Sequence, residues 1–90
     1  MRFTATGVTE FLAIFDRNKM AIRNAPGCTH LELLRDSEDS NCFTTLSHWQ
    51  DPDSLNTYRK SQLFYEVWRP VKSLFAAKAQ AFSLEKFMEV

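Results

Sequence analysis

Two alternating runs face each other across a polar cluster, and two capped helix starts follow directly behind them. This arrangement constrains the chain more than any other feature. Over residues 29–35, Leu31 and Leu33 point one way and His30, Glu32 and Leu34 the other. Successive side chains of a strand point to opposite faces, so the run reads as a strand with two distinct faces. Asp36-Ser-Glu-Asp-Ser-Asn41 is a polar turn cluster. Residues 42–49 alternate again, with Phe43, Thr45, Ser47 and Trp49 on one face and Cys42, Thr44, Leu46 and His48 on the other. Two such runs with a polar loop between them predict a β-hairpin. Pairing about the middle of the loop puts Cys42 opposite Arg35 and Cys28 opposite Trp49. The cysteines then lie far apart on the ladder, beyond the roughly 7 Å between Cα atoms that a disulfide spans. They also lack metal-ligand spacing, so both read as reduced thiols.

Asp51-Pro52 opens the next element: Asp caps free N–H groups, and Pro is favoured at the first helical position. The expectation is a short helix over 52–59, with Leu55 and Tyr58 on one face. Ser61 can cap a further helix, along which Phe64, Val67, Trp68, Val71, Leu74 and Phe75 recur as an amphipathic stripe. Pro70 interrupts it. A proline inside a helix removes a backbone bond at about 3 kcal/mol, so a kink or break is expected near Trp68 and Arg69.

Upstream, residues 8–24 predict a helix, with Val8, Phe11, Leu12, Phe15 and Ile22 forming its apolar stripe and Thr6 as its N-cap. Asn24-Ala-Pro-Gly27 ends it, since Pro26 disfavours helix at Ala25 and Gly27 accepts positive φ. Residues 1–4 or 1–5 are available as a short first strand. Residues 81–84 are expected to form a last one, and 85–90 a helical turn or a crossover onto a partner. The order is βαββαβ, the ferredoxin-like α+β sandwich, with an antiparallel sheet and helices on one face. The other face carries apolar residues and needs cover, which a symmetric dimer supplies. Leu34, Leu46 and Phe82 would then lie between two sheets.

Ninety residues make a single domain, 1–90. Eleven basic and eleven acidic residues balance, whereas a nucleic-acid binder usually gathers a basic excess on one face. Arg59-Lys60 is too small a cluster for that role. No apolar run approaches the roughly 18–20 residues of a membrane span, and the start, MRFTATGVTEF, has no signal-peptide core. The cytoplasm is therefore the expected location. Eight phenylalanines and two tryptophans in so short a chain supply a core, an apolar pocket or a subunit interface.

The candidate site residues each carry two readings. His48 is a general base for a phenol proton, given its near-neutral titration, or a histidine at a strand end. Alternation sets it opposite Trp49, so the two share a pocket only across a bulge. Trp49 packs an aromatic ligand or staples the hairpin to the helices. Tyr58, Phe64 and Trp68 form a π-lined slot, with Tyr58 bonding a substrate oxygen, or pack the core. His30 and Glu32 share a strand face, but two ligands are too few for a metal. Ser61 reads as a cap, and no Ser-His-Asp arrangement can be assembled.

The PGC run (Pro26 to Cys28), the HLELLRD strand, F-x-T-x-S-x-W (Phe43 to Trp49) and Y-x-x-S-x-x-F-x-x-x-W (Tyr58 to Trp68) together resemble the antibiotic biosynthesis monooxygenase (ABM) domain family. The resemblance covers about residues 8–84. It implies a dimeric α+β barrel made from two sheets, with an apolar pocket in each protomer between sheet and helices. It also implies, as one activity of the family, oxidation of phenols or quinols by molecular oxygen without metal or flavin. Haem-degrading relatives place a Trp, and ten residues on an iron-binding His, where this chain has Tyr58 and Trp68; Trp68 cannot ligate iron, so a haem site of that type is rejected. Family chains usually open with a longer strand, often with a polar residue facing the pocket, so the chain is expected either to be truncated or to have that gap covered otherwise. The leading expectation is a cofactor-independent monooxygenase of a small hydrophobic phenolic or quinol-like compound. His48 and Tyr58 are its catalytic candidates, and Trp49, Phe64 and Trp68 its binding residues, with no metal, no cofactor, and no nucleic-acid or membrane partner. The alternative is a non-catalytic homodimer that binds a small aromatic ligand or only associates.

Overall fold

Thr4, two residues before the expected cap, starts the first helix. Its backbone is extended, and its Oγ1 accepts the Gly7 N–H at 3.1 Å, so α1 runs Ala5–Arg23. The early start works because Gly7 lets the first turn lie against the chain leaving the last helix. A Cβ at Gly7 would stand 3.2 Å from the Leu74 carbonyl oxygen. Phe11, Phe15 and Ile22 are buried along α1, as the stripe predicts, while Leu12 at its margin is exposed.

The computed structural model describes residues 1–90. After α1 come β1 (Cys28–Arg35), β2 (Phe43–Trp49), α2 (Pro52–Arg59) and α3 (Gln62–Lys72). β1 and β2 pair antiparallel, and the register differs from the expected one by a residue: Arg35 lies opposite Phe43, not Cys42. The turn decides this. Asp36 Oδ1 accepts from the N–H groups of Glu38 and Asp39, and the Asp36 N–H donates to the Cys42 carbonyl, which closes the loop one position earlier. A bulge between Cys28 and His30 absorbs the extra residue and brings Cys28 opposite Trp49. Both cysteines are free thiols.

The first strand is reduced to a pair of bridges. Arg2 bridges Cys42 on one side and Phe3 bridges Phe75 on the other. Phe43 and Met1 exchange two bonds of 2.8 Å, Phe3 N–H donates to Asn41, and Ala76 N–H donates to Arg2. Across the sheet the order is therefore 75–76, 1–3, β2, β1: the ferredoxin-like order with its first and last strands at minimal length. The expected strand at 81–84 does not form, and residues 77–90 hold no helix or strand. Its partner would be the first segment, already bridged at Phe75 and Ala76, and the chain has passed that segment by residue 81.

Four of the eight phenylalanines build the core. Phe3 stacks on Phe11 with ring centroids 4.6 Å apart, and Phe43 sits 5.6 Å from Phe11. Phe15, Ile22, Tyr58, Val67 and Val71 complete it. Fully burying a side chain of this size contributes about 1.5–3 kcal/mol, so this cluster stabilises a short sheet that could not stand alone. α3 continues through Pro70 without the expected break. The proline lies two residues from the helix end, and it and Glu66, whose carbonyl loses its donor, are both exposed, so water satisfies that carbonyl. No helix is long and apolar enough to cross a membrane.

Candidate functional site: an aromatic cluster at the base of the hairpin

Two polar side chains set the helices that carry the cluster. Asp51 accepts the Ser54 N–H at 2.7 Å and starts α2; that bond holds its carboxyl below the usual aspartate range. Ser61 ties the corner between α2 and α3 with one hydroxyl, which donates to the Tyr58 carbonyl at 2.6 Å and accepts the Phe64 N–H at 3.1 Å. The spacing of Tyr58 and Phe64 is thus set by a single cap, which is the reading the sequence supports for Ser61.

Tyr58 is the centre. It is buried, and Trp49 from the end of β2 stacks on its ring at 5.0 Å and 25°. Phe64 meets the same ring edge-on at 5.2 Å and 88°, and Trp68 lies 6.4 Å beyond Phe64. The Trp68 Nε1–H donates to the Tyr58 hydroxyl at 2.8 Å. Trp49 is oriented by donating its own Nε1–H to Ser47 Oγ at 2.9 Å. Both indole N–H groups are therefore used, whereas the Tyr58 hydroxyl proton has no acceptor within the protein. Burial raises the Tyr58 pKa above the ordinary tyrosine value; the Trp68 bond opposes the rise, and Cys28 adds to it. The phenol stays neutral and is a hydrogen-bond donor with a free proton, framed by aromatic walls. Trp49, Phe64 and Trp68 are half-buried, so their edges reach the surface.

Four of the five sequence candidates, Trp49, Tyr58, Phe64 and Trp68, are thus brought together. His48 is not. It is exposed on the opposite, open face of the sheet, where its ring lies 4.9 Å from that of His30. His30 in turn bonds Glu32 at 2.9 Å. The hairpin's bulge lies on β1 and leaves the alternation of β2 intact, so His48 and Trp49 keep opposite faces. No group of three or more His, Cys, Asp or Glu side chains is placed to hold a metal ion. Cys28 is the neighbour of Tyr58 that residue-type reasoning overlooked, although its expected place opposite Trp49 already pointed to it.

Two open hollows lie away from the cluster. A groove of about 350 Å³ between α1 and β1 is lined by Phe15, Met20, Leu31 and Leu33 together with Lys19, Arg23 and Glu32. The other, about 560 Å³, lies where residues 75–79 leave α3.

Antibiotic biosynthesis monooxygenase is the family that matches residues 1–69, a span containing the hairpin and all four cluster residues. The chain belongs to this family. No curated protein matches the ABM domain described here. Among solved structures it is similar to a conserved protein from Methanosarcina mazei Go1, with TM-score 0.81 and 19% identity over 86% of this chain and 76% of that one. It is also similar to an antibiotic biosynthesis monooxygenase at TM-score 0.78 and 15% identity, over 91% and 92% of the two chains. A third, described as a candidate antibiotic biosynthesis monooxygenase from Deinococcus radiodurans, gives TM-score 0.77 and 15% identity over 98% and 92%. At these identities the likeness is one of fold. At the level of the family, the assignment of this ABM domain is a monooxygenase.

Proposed function

We propose that this ABM domain is a cofactor-independent monooxygenase of a small hydrophobic phenol or quinol held against Trp49, Tyr58, Phe64 and Trp68. The observation that carries this reading is the Tyr58 hydroxyl, which accepts from Trp68 and keeps its own proton for a ligand oxygen. A pre-placed donor at the oxygen where negative charge develops is worth most in a site shielded from water. The aromatic rings give a flat substrate area and geometry together.

In this mechanism the ionised, electron-rich substrate reduces oxygen itself. A carbon–oxygen bond forms at a ring CH of the anion; the O–O bond then breaks as that carbon loses its one hydrogen and becomes a carbonyl. The second oxygen atom leaves with that hydrogen as hydroxide, which solvent protonates to water, and the substrate supplies all the electrons. Tyr58 holds the substrate oxygen throughout. No base stands beside Tyr58 within one protomer, which narrows the class to phenols and quinols acidic enough to arrive as anions. The homodimer in this reading forms through the open sheet face, where His30, Leu34, Leu46 and His48 would be covered.

One observation favours the second reading, a binding domain without turnover. The first segment gives Phe3 to the core and no polar side chain to the cluster. Oxygen uptake with a panel of phenols and quinols separates the two. Uptake above the protein-free control supports the oxygenase. Uptake equal to that control, with tryptophan fluorescence still quenched by the compounds, leaves the binding domain.

A further inference from the structure

We propose that His30 and His48 chelate one divalent transition-metal ion on the open face of the sheet, opposite the face that carries the Tyr58 cluster. The two residues are register partners across β1 and β2. Both are exposed, and their ring centroids lie 4.9 Å apart with the planes tilted by 42°. That separation is the one a shared ion requires. With metal–nitrogen bonds of about 2.0–2.1 Å, each ring centre stands roughly 3.2 Å from the ion, which sets the two centres roughly 4.5 Å apart at a right angle and roughly 5.2 Å apart at the tetrahedral angle. The tilt matters as well. A ring nitrogen's lone pair lies in the ring plane, and tilted planes intersect, so both lone pairs can meet at one point. Parallel rings would aim theirs past each other.

Glu32 supplies a second observation. Its Oε1 stands 2.9 Å from His30 Nε2. A carboxylate only accepts, so Nε2 of the neutral imidazole carries the proton and Nδ1 keeps the lone pair. This is the arrangement around metal-bound histidine, whose other ring N–H goes to a carboxylate that fixes the tautomer and makes the ligating nitrogen more basic. The carboxylate also places a negative charge beside the ion.

Two imidazoles select the ion. Imidazole suits zinc, copper and nickel, whereas magnesium and calcium prefer oxygen ligands. No third His, Cys, Asp or Glu side chain converges with the pair, so water completes the coordination and the ion exchanges with solvent. The strands themselves hold the two donors: the ladder runs unbroken from Arg35 opposite Phe43 to His30 opposite His48, and the bulge comes only after this pair. Both nitrogens come from one chain, and neither histidine touches the Tyr58 cluster. The site therefore depends on neither the homodimer nor the oxygenase reading.

Zinc chloride is titrated into the full chain by calorimetry over a protein concentration series, with the histidine ring signals followed by NMR. The expected result is one zinc per chain, with both ring signals shifted. His30→Ala and His48→Ala should each remove the shift of the remaining ring at the same zinc concentration. Glu32→Ala should weaken binding about tenfold or more. All three side chains are exposed, so the variants keep the wild-type circular dichroism. Magnesium chloride should move neither ring. Zinc bound only at the dilute end also supports the site, the face being covered by a second copy at the other end. Zinc held equally well by both histidine variants puts the ion on other groups, such as the Cys28 or Cys42 thiol, and overturns the chelate. Absence of binding at every concentration overturns it too.

Discussion

Gly27→Ala probes the joint that sets α2, and with it Tyr58, against the hairpin. Gly27 has φ 85°, a left-handed conformation that costs another residue roughly 1–2 kcal/mol. A Cβ there would also lie 2.3 Å from Ser54 Oγ and 2.4 Å from Ser54 Cβ. The hydroxyl can rotate away, but the Cβ is fixed by the backbone of α2. Either the helix or the turn must shift, an overpacking cost of about 1–3 kcal/mol. The sum, roughly 2–5 kcal/mol, is a large share of a typical domain stability of about 5–15 kcal/mol. Ser54→Gly removes both clashing atoms at a helix-propensity cost of about 0.5 kcal/mol, while its N–H still reaches Asp51. The double variant should therefore recover the clash share and keep the backbone share, giving a favourable coupling of about 1–3 kcal/mol. Urea denaturation followed by tryptophan fluorescence reads it, since Trp49 stacks on Tyr58. A Gly27→Ala variant within about 0.5 kcal/mol of wild type, or a double variant that is simply additive, would refute the reasoning.

Three further outcomes follow from the same packing. Phe11→Ala, at a fully buried ring stacked on Phe3, should cost about 3–5 kcal/mol; a thermal midpoint close to wild type would contradict the phenylalanine core. Ser61→Ala frees the Phe64 N–H and removes the hydroxyl bond to the Tyr58 carbonyl, which keeps the backbone N–H of residue 61, and should cost about 1 kcal/mol in chemical denaturation; no measurable loss would mean the corner is held otherwise. Burial raises the Tyr58 pKa above 10.0 in the folded chain, so the unfolded chain ionises first. The stability linked to this group is complete below the ordinary tyrosine value and falls as pH climbs through the folded one. Urea midpoints at alkaline pH should show a fall that Tyr58→Phe removes; identical slopes in the two proteins would reject a buried neutral phenol.

What was legible in the sequence was local. The helix of residues 52–59, the Ser61 cap and the alternation of both strands depend on neighbours within a few residues, and all three appear as read. The cluster of Trp49, Tyr58, Phe64 and Trp68 was legible for the same reason: strand alternation and helical spacing each point to one face. What was not legible depended on distant contacts. Thr4 rather than Thr6 caps α1 because Leu74, far along the chain, meets Gly7. The hairpin register moved by one because the Asp36 turn closed early. Pro70 sits inside α3 because its neighbourhood is solvent. The separation of His48 from Trp49 was implicit in the alternation, and no bulge on β2 rescues it.

The most direct test of the central claim compares oxygen uptake by the wild type, Tyr58→Phe and His48→Ala with one electron-rich quinol supplied as its anion. Tyr58→Phe keeps the ring stack and removes the free proton, and loss of such a donor costs about 10²–10³ in rate. His48→Ala changes only the opposite face of the sheet and should leave the rate at the wild-type level. Full activity in Tyr58→Phe together with its loss in His48→Ala would contradict the account.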